Sequence, residues 1–260
     1  MLAGVTDAEA YERGFARLSA HTVTALLDRA GVPARHDGPG ARTRVLDAGC
    51  GSGVVTAGAL ARGARVTAFD SDAAMAGLAA RRHPEAEVLV ARLPRLPFAD
   101  GTFDAVAGNF IINHAPDTAA ALRELRRVLR PGGTAALTWW KSSEMTATGV
   151  ISDAVEAAGA PFGTPPRPLA ASAGPGRFAA LMRASGFTGV AVETLRWRHP
   201  FDPDGWLADV VAAGGPRFGP IAAQPASTRA RIRAAYIRLA APYAREGFPV
   251  CAHLAHGTTT

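Results

Sequence analysis

The chain has 260 residues, 48% hydrophobic and 19% charged, with a formal net charge of +6. That length suits one domain of ordinary size with elaborations; two distant cysteines, Cys50 and Cys251, exclude a disulfide framework, and no apolar run reaches membrane-spanning length. The positive balance invites a nucleic-acid reading, yet it is nearly all arginine, with Lys141 the only lysine, and the arginines are scattered without a basic run or interleaved aromatics.

Acids near the start, where a secretory signal would be basic, lead us to expect a cytoplasmic protein with no membrane partner. Residues 7–30 read as two helices, with Asp7 and Ser19 as N-caps and Val23, Leu26 and Leu27 on an apolar face closed by Gly31 and Pro33. Tyr11 and Phe15 stand four apart, the spacing of packing partners. His36 to Gly40 is a loop. Then Val45-Leu46-Asp47-Ala48-Gly49-Cys50-Gly51-Ser52-Gly53 runs from an apolar strand through an acid into glycines at alternate positions, and Val54 to Leu60 reads as a helix. This is the strand, turn and helix of a nucleotide-binding unit, where bare backbone lets a ligand approach. A second strand, Ala64 to Asp70, again ends in an acid, where such folds hold a ribose by its hydroxyls.

A dinucleotide seats its pyrophosphate on the helix N-terminus behind Gly-x-Gly-x-x-Gly. Here the last glycine comes one residue early, and the Asp47 carboxylate would repel phosphate and attract a cation. Further along, Asp72 caps a helix over Ala73 to Arg82, Glu87 to Ala91 is a third strand, and a fourth ends at Gly108-Asn109-Phe110. Pro116 suits the first turn of the next helix, whose Leu122, Leu125, Val128 and Leu129 make one buried face. Arg130-Pro131-Gly132-Gly133 stops it and leads into a fifth strand, Thr134 to Trp140. Residues 141–175 form a Gly/Pro/Ala-rich connection with a helix around Val150 to Ala158. A helix from Arg177 to Ser185 and a sixth strand from Gly189 to His199 follow. In that strand the hydrophobic period slips midway, which predicts a bulge. Two more helices, Pro203 to Ala213 and Ser227 to Ala241, precede a last strand, Phe248 to Ala255.

VLDAGCGSG at 45–53, LPFADGTFDAV at 96–106 and LRPGG at 129–133, in this order, resemble the class I S-adenosylmethionine-dependent methyltransferases of type 11, the ubiquinone/menaquinone-biosynthesis-like family. The resemblance implies a doubly wound, mostly parallel α/β sheet of seven strands, the last inserted antiparallel between the fifth and sixth, with N-terminal helices and a helical insert near the C-terminus. It implies a single domain over 1–260: a leader over 1–40, a cofactor-binding core over 41–141, and the remaining strands and substrate-pocket elements over 142–260. The cofactor would be S-adenosylmethionine, leaving as S-adenosylhomocysteine. Its contacts would be Asp47, Gly49, Cys50 and Gly51 at the turn, Asp70 and Ser71 after the second strand, and Met75 against the adenine. Arg92 and Leu93 would follow at the base, with Asn109, Phe110 and His114 beyond the fourth strand. Tyr11 and Arg17, in a leader that resembles the family's, would close over it. Arg92 stands where relatives carry an Asp that accepts the adenine amino group, and a guanidinium accepts nothing; either the Leu93 N–H holds the base or Arg92 swings away.

Methyl transfer from a sulfonium is an in-line displacement, in which positioning alone supplies about 7–11 kcal/mol. His114 is the candidate general base for a hydroxyl or ammonium acceptor, with Asn109 beside it; a capping or packing role for His114 is the alternative. No metal-ligand spacing and no Gly-x-Ser-x-Gly elbow occur. The expected acceptor is a small apolar or aromatic metabolite of bacterial secondary metabolism, and the expected state a monomer or homodimer without nucleic acid. Three other readings stand beside this one: a cyclase or rearrangement catalyst of the same fold that keeps the methyl group, a nicotinamide oxidoreductase, and a non-catalytic binding partner.

Overall fold

The computed structural model describes residues 7–34, 42–160 and 174–260, so the loop expected at 36–40 lies outside the described residues. The chain opens with α1 (Ala8–Tyr11), a π-helical turn (Glu12–Ala16), α2 (Arg17–Ala20) and α3 (Val23–Arg29). Next come β1 (Arg44–Ala48), α4 (Val54–Ala61), β2 (Arg65–Asp70), α5 (Ala73–Arg82) and β3 (Glu87–Val90). After β4 (Phe103–Gly108) and a 3-10 turn (Ile111–His114) follow α6 (Thr118–Val128), β5 (Leu129–Met145) and α7 (Thr146–Ala157). The last elements are α8 (Pro175–Ala184), β6 (Thr188–His199), α9 (Pro203–Ala213), α10 (Gly215–Ala222), α11 (Ala226–Ala240) and β7 (Phe248–Thr258).

The strands form one seven-stranded sheet in the order β3-β2-β1-β4-β5-β7-β6, with β7 between β5 and β6 as expected. Strands β3, β2, β1, β4 and β5 pair in parallel. The contacts of the chain group into two compact units, residues 19–140, 167–195 and 252–260 in the larger and 1–18, 141–166 and 196–251 in the smaller.

In the larger unit the strands are covered on both faces, and their alternation sorts neighbouring residues to opposite cores. Val45, Ala105, Ala107, Ala136 and Leu254 pack with Leu26, Leu27, Val55 and Ala59 of α3 and α4. Leu46, Val106, Leu137 and Ala255 turn the other way, onto Leu122, Leu125 and Val128 of α6 and Phe178 and Met182 of α8. Between Phe103↔Leu129 and Ala105↔Thr134 the β4–β5 register shifts, so residues 130–133 are looped out of the ladder and pairing resumes at Thr134. Burial along β6 changes phase at Val192–Glu193, where the period slip was expected.

The smaller unit is knitted by α11. Arg229 donates to the carbonyls of Ala222 and Gln224 at the end of α10, and Arg231 to that of Ala158 at the end of α7. Arg233 makes a two-pronged pair with Asp204 in the first turn of α9. Each contact places charge where the helix dipole favours it. Trp206 of α9 packs against Phe15, His199 and Phe248 while its indole N–H donates to Ala147 O at 2.8 Å.

Several boundaries differ from expectation. Asp7 and Asp72 cap as predicted, but Ser19 lies inside α2, its carbonyl accepting from Thr22, and Thr22 occupies the N-cap of α3. Asp117, rather than Pro116, opens α6, its carboxylate accepting from the Ala120 N–H, so the proline lies outside the helix. Helix α7 begins at Thr146, earlier than expected. Helix α10 was not anticipated in GPRFGPIA, whose glycines and prolines disfavour a helix; buried Phe218 and Ile221 anchor it, so packing overrides propensity.

Leu125 is fully buried against the sheet and Arg123, on the same helix, is exposed. Leu125→Ala is expected to cost about 2–5 kcal/mol and Arg123→Ala less than about 0.5 kcal/mol, measured by urea unfolding of the full chain.

Candidate active site

Chain order reverses between β1 and β4, whose neighbours β2 and β5 lie on opposite sides. In open α/β sheets this is where ligands lie, beyond the carboxyl ends of the strands. The registers Asp47↔Ala68, Asp47↔Ala107 and Gly108↔Leu137 bring those ends level.

The turn after β1 has three left-handed glycines, Gly49, Gly51 and Gly53, with φ of 70°, 54° and 96°. It is tied to β2 twice. Cys50 N–H donates to Phe69 O at 2.9 Å, and Gly51 N–H donates to the Asp70 carboxylate at 2.9 Å. The second Asp70 oxygen accepts from the Asp72 N–H at 2.9 Å. Burial raises the Asp70 pKa above the ordinary carboxylate range, opposed by those two N–H donors.

Asp47 is completely buried. One of its oxygens accepts a 2.6 Å bond from the Thr56 hydroxyl in the first turn of α4; the other has no hydrogen-bond partner in the protein. The buried Ser52 hydroxyl of the same turn also has none. Burial lifts the Asp47 pKa to about 7, against the lowering effect of Thr56. Orphaned buried polar atoms are costly and point to a missing partner. Here the acceptor suits a cationic or N–H donor, and a carboxylate in its ionised form disfavours phosphate.

The other expected residues distribute as follows. Cys50 packs with Ala68, Ala79 and Val88, and burial pushes its thiol far up, so it is an inert wall. Ser71 is exposed and Met75 is buried in the first turn of α5. Arg92 is exposed, its carbonyl accepting from Arg95 N at 3.0 Å, while Leu93 is buried in the core of the larger unit. His114 is exposed at the end of the 3-10 turn. Tyr11 and Arg17 belong to the smaller unit, where the Tyr11 ring lies 5.8 Å from that of Phe15.

Asn109 is engaged within the larger unit on both ends of its amide. Its Oδ1 accepts from Thr138 at 2.7 Å and lies 2.8 Å from the Thr22 hydroxyl, and its Nδ2 donates to Ser19 O at 3.1 Å. Phe110 follows in the left-handed region, with its ring stacked on Trp140 at 3.5 Å between centroids. Thr22, Ser52, Thr56, Ile111 and Thr138 were missed by sequence reasoning. The one available signal was Thr56, a β-branched polar residue in the first turn of a helix that follows an acid-ended strand.

Residues 46–137 match a family model described as a methyltransferase domain. A demethylmenaquinone methyltransferase from Beutenbergia cavernae is 38% identical over 109 residues, 41% of this chain and 45% of that protein, so the match spans less than half of the relative. A putative methyltransferase from an antibiotic biosynthesis pathway of Anabaena variabilis superposes with a TM-score of 0.61 at 17% identity, covering 92% of this chain and 97% of the other. The [4+2]-cyclase SpnF superposes with a TM-score of 0.56 at 18% identity, covering 93% and 81%. At these identities the structural matches speak for the fold.

Because the folded Asp47 holds its proton up to about 7, against an ordinary 3.8, it stabilises the ligand-free fold fully below the lower value, and that stabilisation is lost as pH rises through the higher one. Asp47→Asn, neutral throughout and still able to accept from Thr56, is expected to flatten the fall in unfolding free energy between about pH 4 and 7. Asp70, shifted the same way, leaves a residual slope. Denaturant titrations at three pH values check this; an unchanged slope would refute it.

Proposed function

Taking residues 46–137 as a member of the methyltransferase-domain family, we propose that this protein transfers a methyl group from S-adenosylmethionine to a small, apolar or aromatic metabolite. The observation that carries the reading is the unpartnered, buried Asp47 oxygen beside a turn of bare backbone. An amino-acid ammonium supplies the donor that this oxygen lacks, and a phosphate would not. Asp70 keeps lone pairs for ribose hydroxyls while its two backbone bonds hold the turn in place. The residues therefore fit the cofactor, which when bound supplies an electrophilic methyl carbon on a sulfonium.

The remaining work is positioning and exclusion of water. In this reading Gly49 and Gly51 allow close approach, and Met75 and Leu93 offer apolar surface to the base. Asn109, whose amide is spent on Ser19, Thr22 and Thr138, positions the end of β4. His114, exposed after that strand, takes the proton when the acceptor is a hydroxyl or an ammonium. The chemistry named for the Beutenbergia relative supports a flat, quinone-like acceptor; in this reading the protein is a cytoplasmic enzyme of secondary metabolism, a monomer or homodimer. SpnF has the same fold and is titled a cyclase, so retention of the methyl group is the second reading.

Two measurements decide. S-adenosylhomocysteine at about 100 times its Kd should stabilise the protein by about 2.7 kcal/mol while NAD does not, and Asp70→Asn should weaken that binding by about tenfold or more. With methyl-labelled cofactor and a panel of phenols and hydroquinones, label should appear in product; turnover without label would favour the cyclase reading.

A further inference from the structure

Among the described residues Phe110 alone combines a side chain with positive φ, at φ 61° and ψ 7°. A bulky aromatic there is a strained outlier that persists only where its surroundings over-determine it. Glycine would adopt this conformation without strain, so a turn that only had to bend would be better served by glycine. The ring is retained for what it touches, and the backbone is held for where it sends the next residue.

Both are visible. The Phe110 ring lies nearly parallel to Trp140, 8° apart. Beyond it, Ile111 is driven onto the glycine turn: a Cβ added at Gly49 would stand 2.5 Å from Ile111 Cδ1 and 2.7 Å from its Cγ1. At Gly108 an added Cβ would meet Ile111 Cγ2 at 3.0 Å and Leu137 Cδ2 at 2.5 Å. The strained residue thus sits between two close approaches, one to β5 and one to the turn after β1.

A single buried hydroxyl holds it. Thr138 Oγ1 accepts the Phe110 N–H at 2.9 Å and gives its own proton to Asn109 Oδ1 at 2.7 Å. Asn109 is steadied in turn by donating to Ser19 O, with the Thr22 hydroxyl at 2.8 Å from both Asn109 Oδ1 and Ser19 O. With one proton to share between two acceptors, Thr22 satisfies neither fully, which leaves Thr138 as the full donor to Asn109. The side chain of Thr138 is completely buried.

We propose that Thr138 is a positioning residue: its hydroxyl locks Phe110 in the left-handed conformation, and this sets the Phe110–Trp140 stack and the Ile111 side chain as the wall of the crevice beside Gly49. The assignment of that crevice to the cofactor rests on the function proposed above; the lock itself does not. Valine has the shape of threonine without the hydroxyl, and it leaves the Phe110 N–H with no acceptor. Serine keeps the hydroxyl and loses only a methyl group.

The test compares Thr138→Val with Thr138→Ser in the full chain by two readouts. The first is the near-UV circular dichroism of the Phe110–Trp140 stack, isolated by subtracting the spectrum of Trp140→Phe. The second is calorimetric affinity for S-adenosylhomocysteine. The valine variant should lose the stack's signal and bind about tenfold more weakly, and the serine variant should retain the signal and bind within about twofold of the parent. Retention of both signal and affinity in the valine variant, or equal losses in both variants, would overturn the proposal; loss of signal with full affinity would keep the lock and remove its role in binding. Should the parent itself fail to bind S-adenosylhomocysteine, the proposed function falls while the spectra still decide the lock.

Discussion

Two carboxylates, Asp47 fully buried and Asp70 half-buried, flank the glycine turn. Asp70 spends one bond from each oxygen on the chain itself, welding the glycine turn to the end of β2 and the start of α5. Asp47 spends one oxygen on Thr56 and keeps the other buried and unpaired. Burial raises the pKa of both, opposed at Asp70 by its backbone donors and at Asp47 by Thr56. Everything assigned to the site follows from that arrangement, because the parallel registers of β1, β2 and β4 fix where the two acids stand relative to the reversal of strand order.

Positive charge, by contrast, goes into holding the fold. Arg127 grips the segment after β3 by donating to Leu96 O, Phe98 O and Asp100 while also pairing with Glu124, which itself accepts the Leu96 N–H. Arg126 donates to Gly186 O, Arg62 to Val32 O and Thr24 O, and Arg130 and Arg44 share Asp104. The planar guanidinium reaches several carbonyls at once, which an ammonium does less well, and this gives the arginine-rich composition a structural use. The arginines named here are thus spent on carboxylates and on loop carbonyls.

Much of the larger unit was legible because its signals are local. The strand, acid and glycine turn at 45–53, the Asp72 cap and the face of α6 depend on residues near one another in sequence, so period and capping chemistry locate them. The misses have a common cause as well. Pro116 and Ser19 carry the right chemistry for a helix start, but a neighbour, Asp117 or Thr22, took the cap position. Helix α10 exists against its own propensity because Phe218 and Ile221 are buried.

By itself the sequence determined the order of the strands, the two acids flanking the glycine turn and the resemblance of the 46–137 segment to a methyltransferase-domain model, since these rest on spacing, backbone permissiveness and charge sign within short stretches. Only the tertiary structure decided that Asp47 is wholly buried with one oxygen unpaired, that Asn109 is spent on its neighbours, and that Phe110 is strained over Thr138. Those facts depend on residues as far apart as Ser19, Asn109 and Thr138 meeting at one strand end. Hydrogen bonds of that kind leave no periodicity in the chain, because a single hydroxyl can serve wherever the fold delivers it.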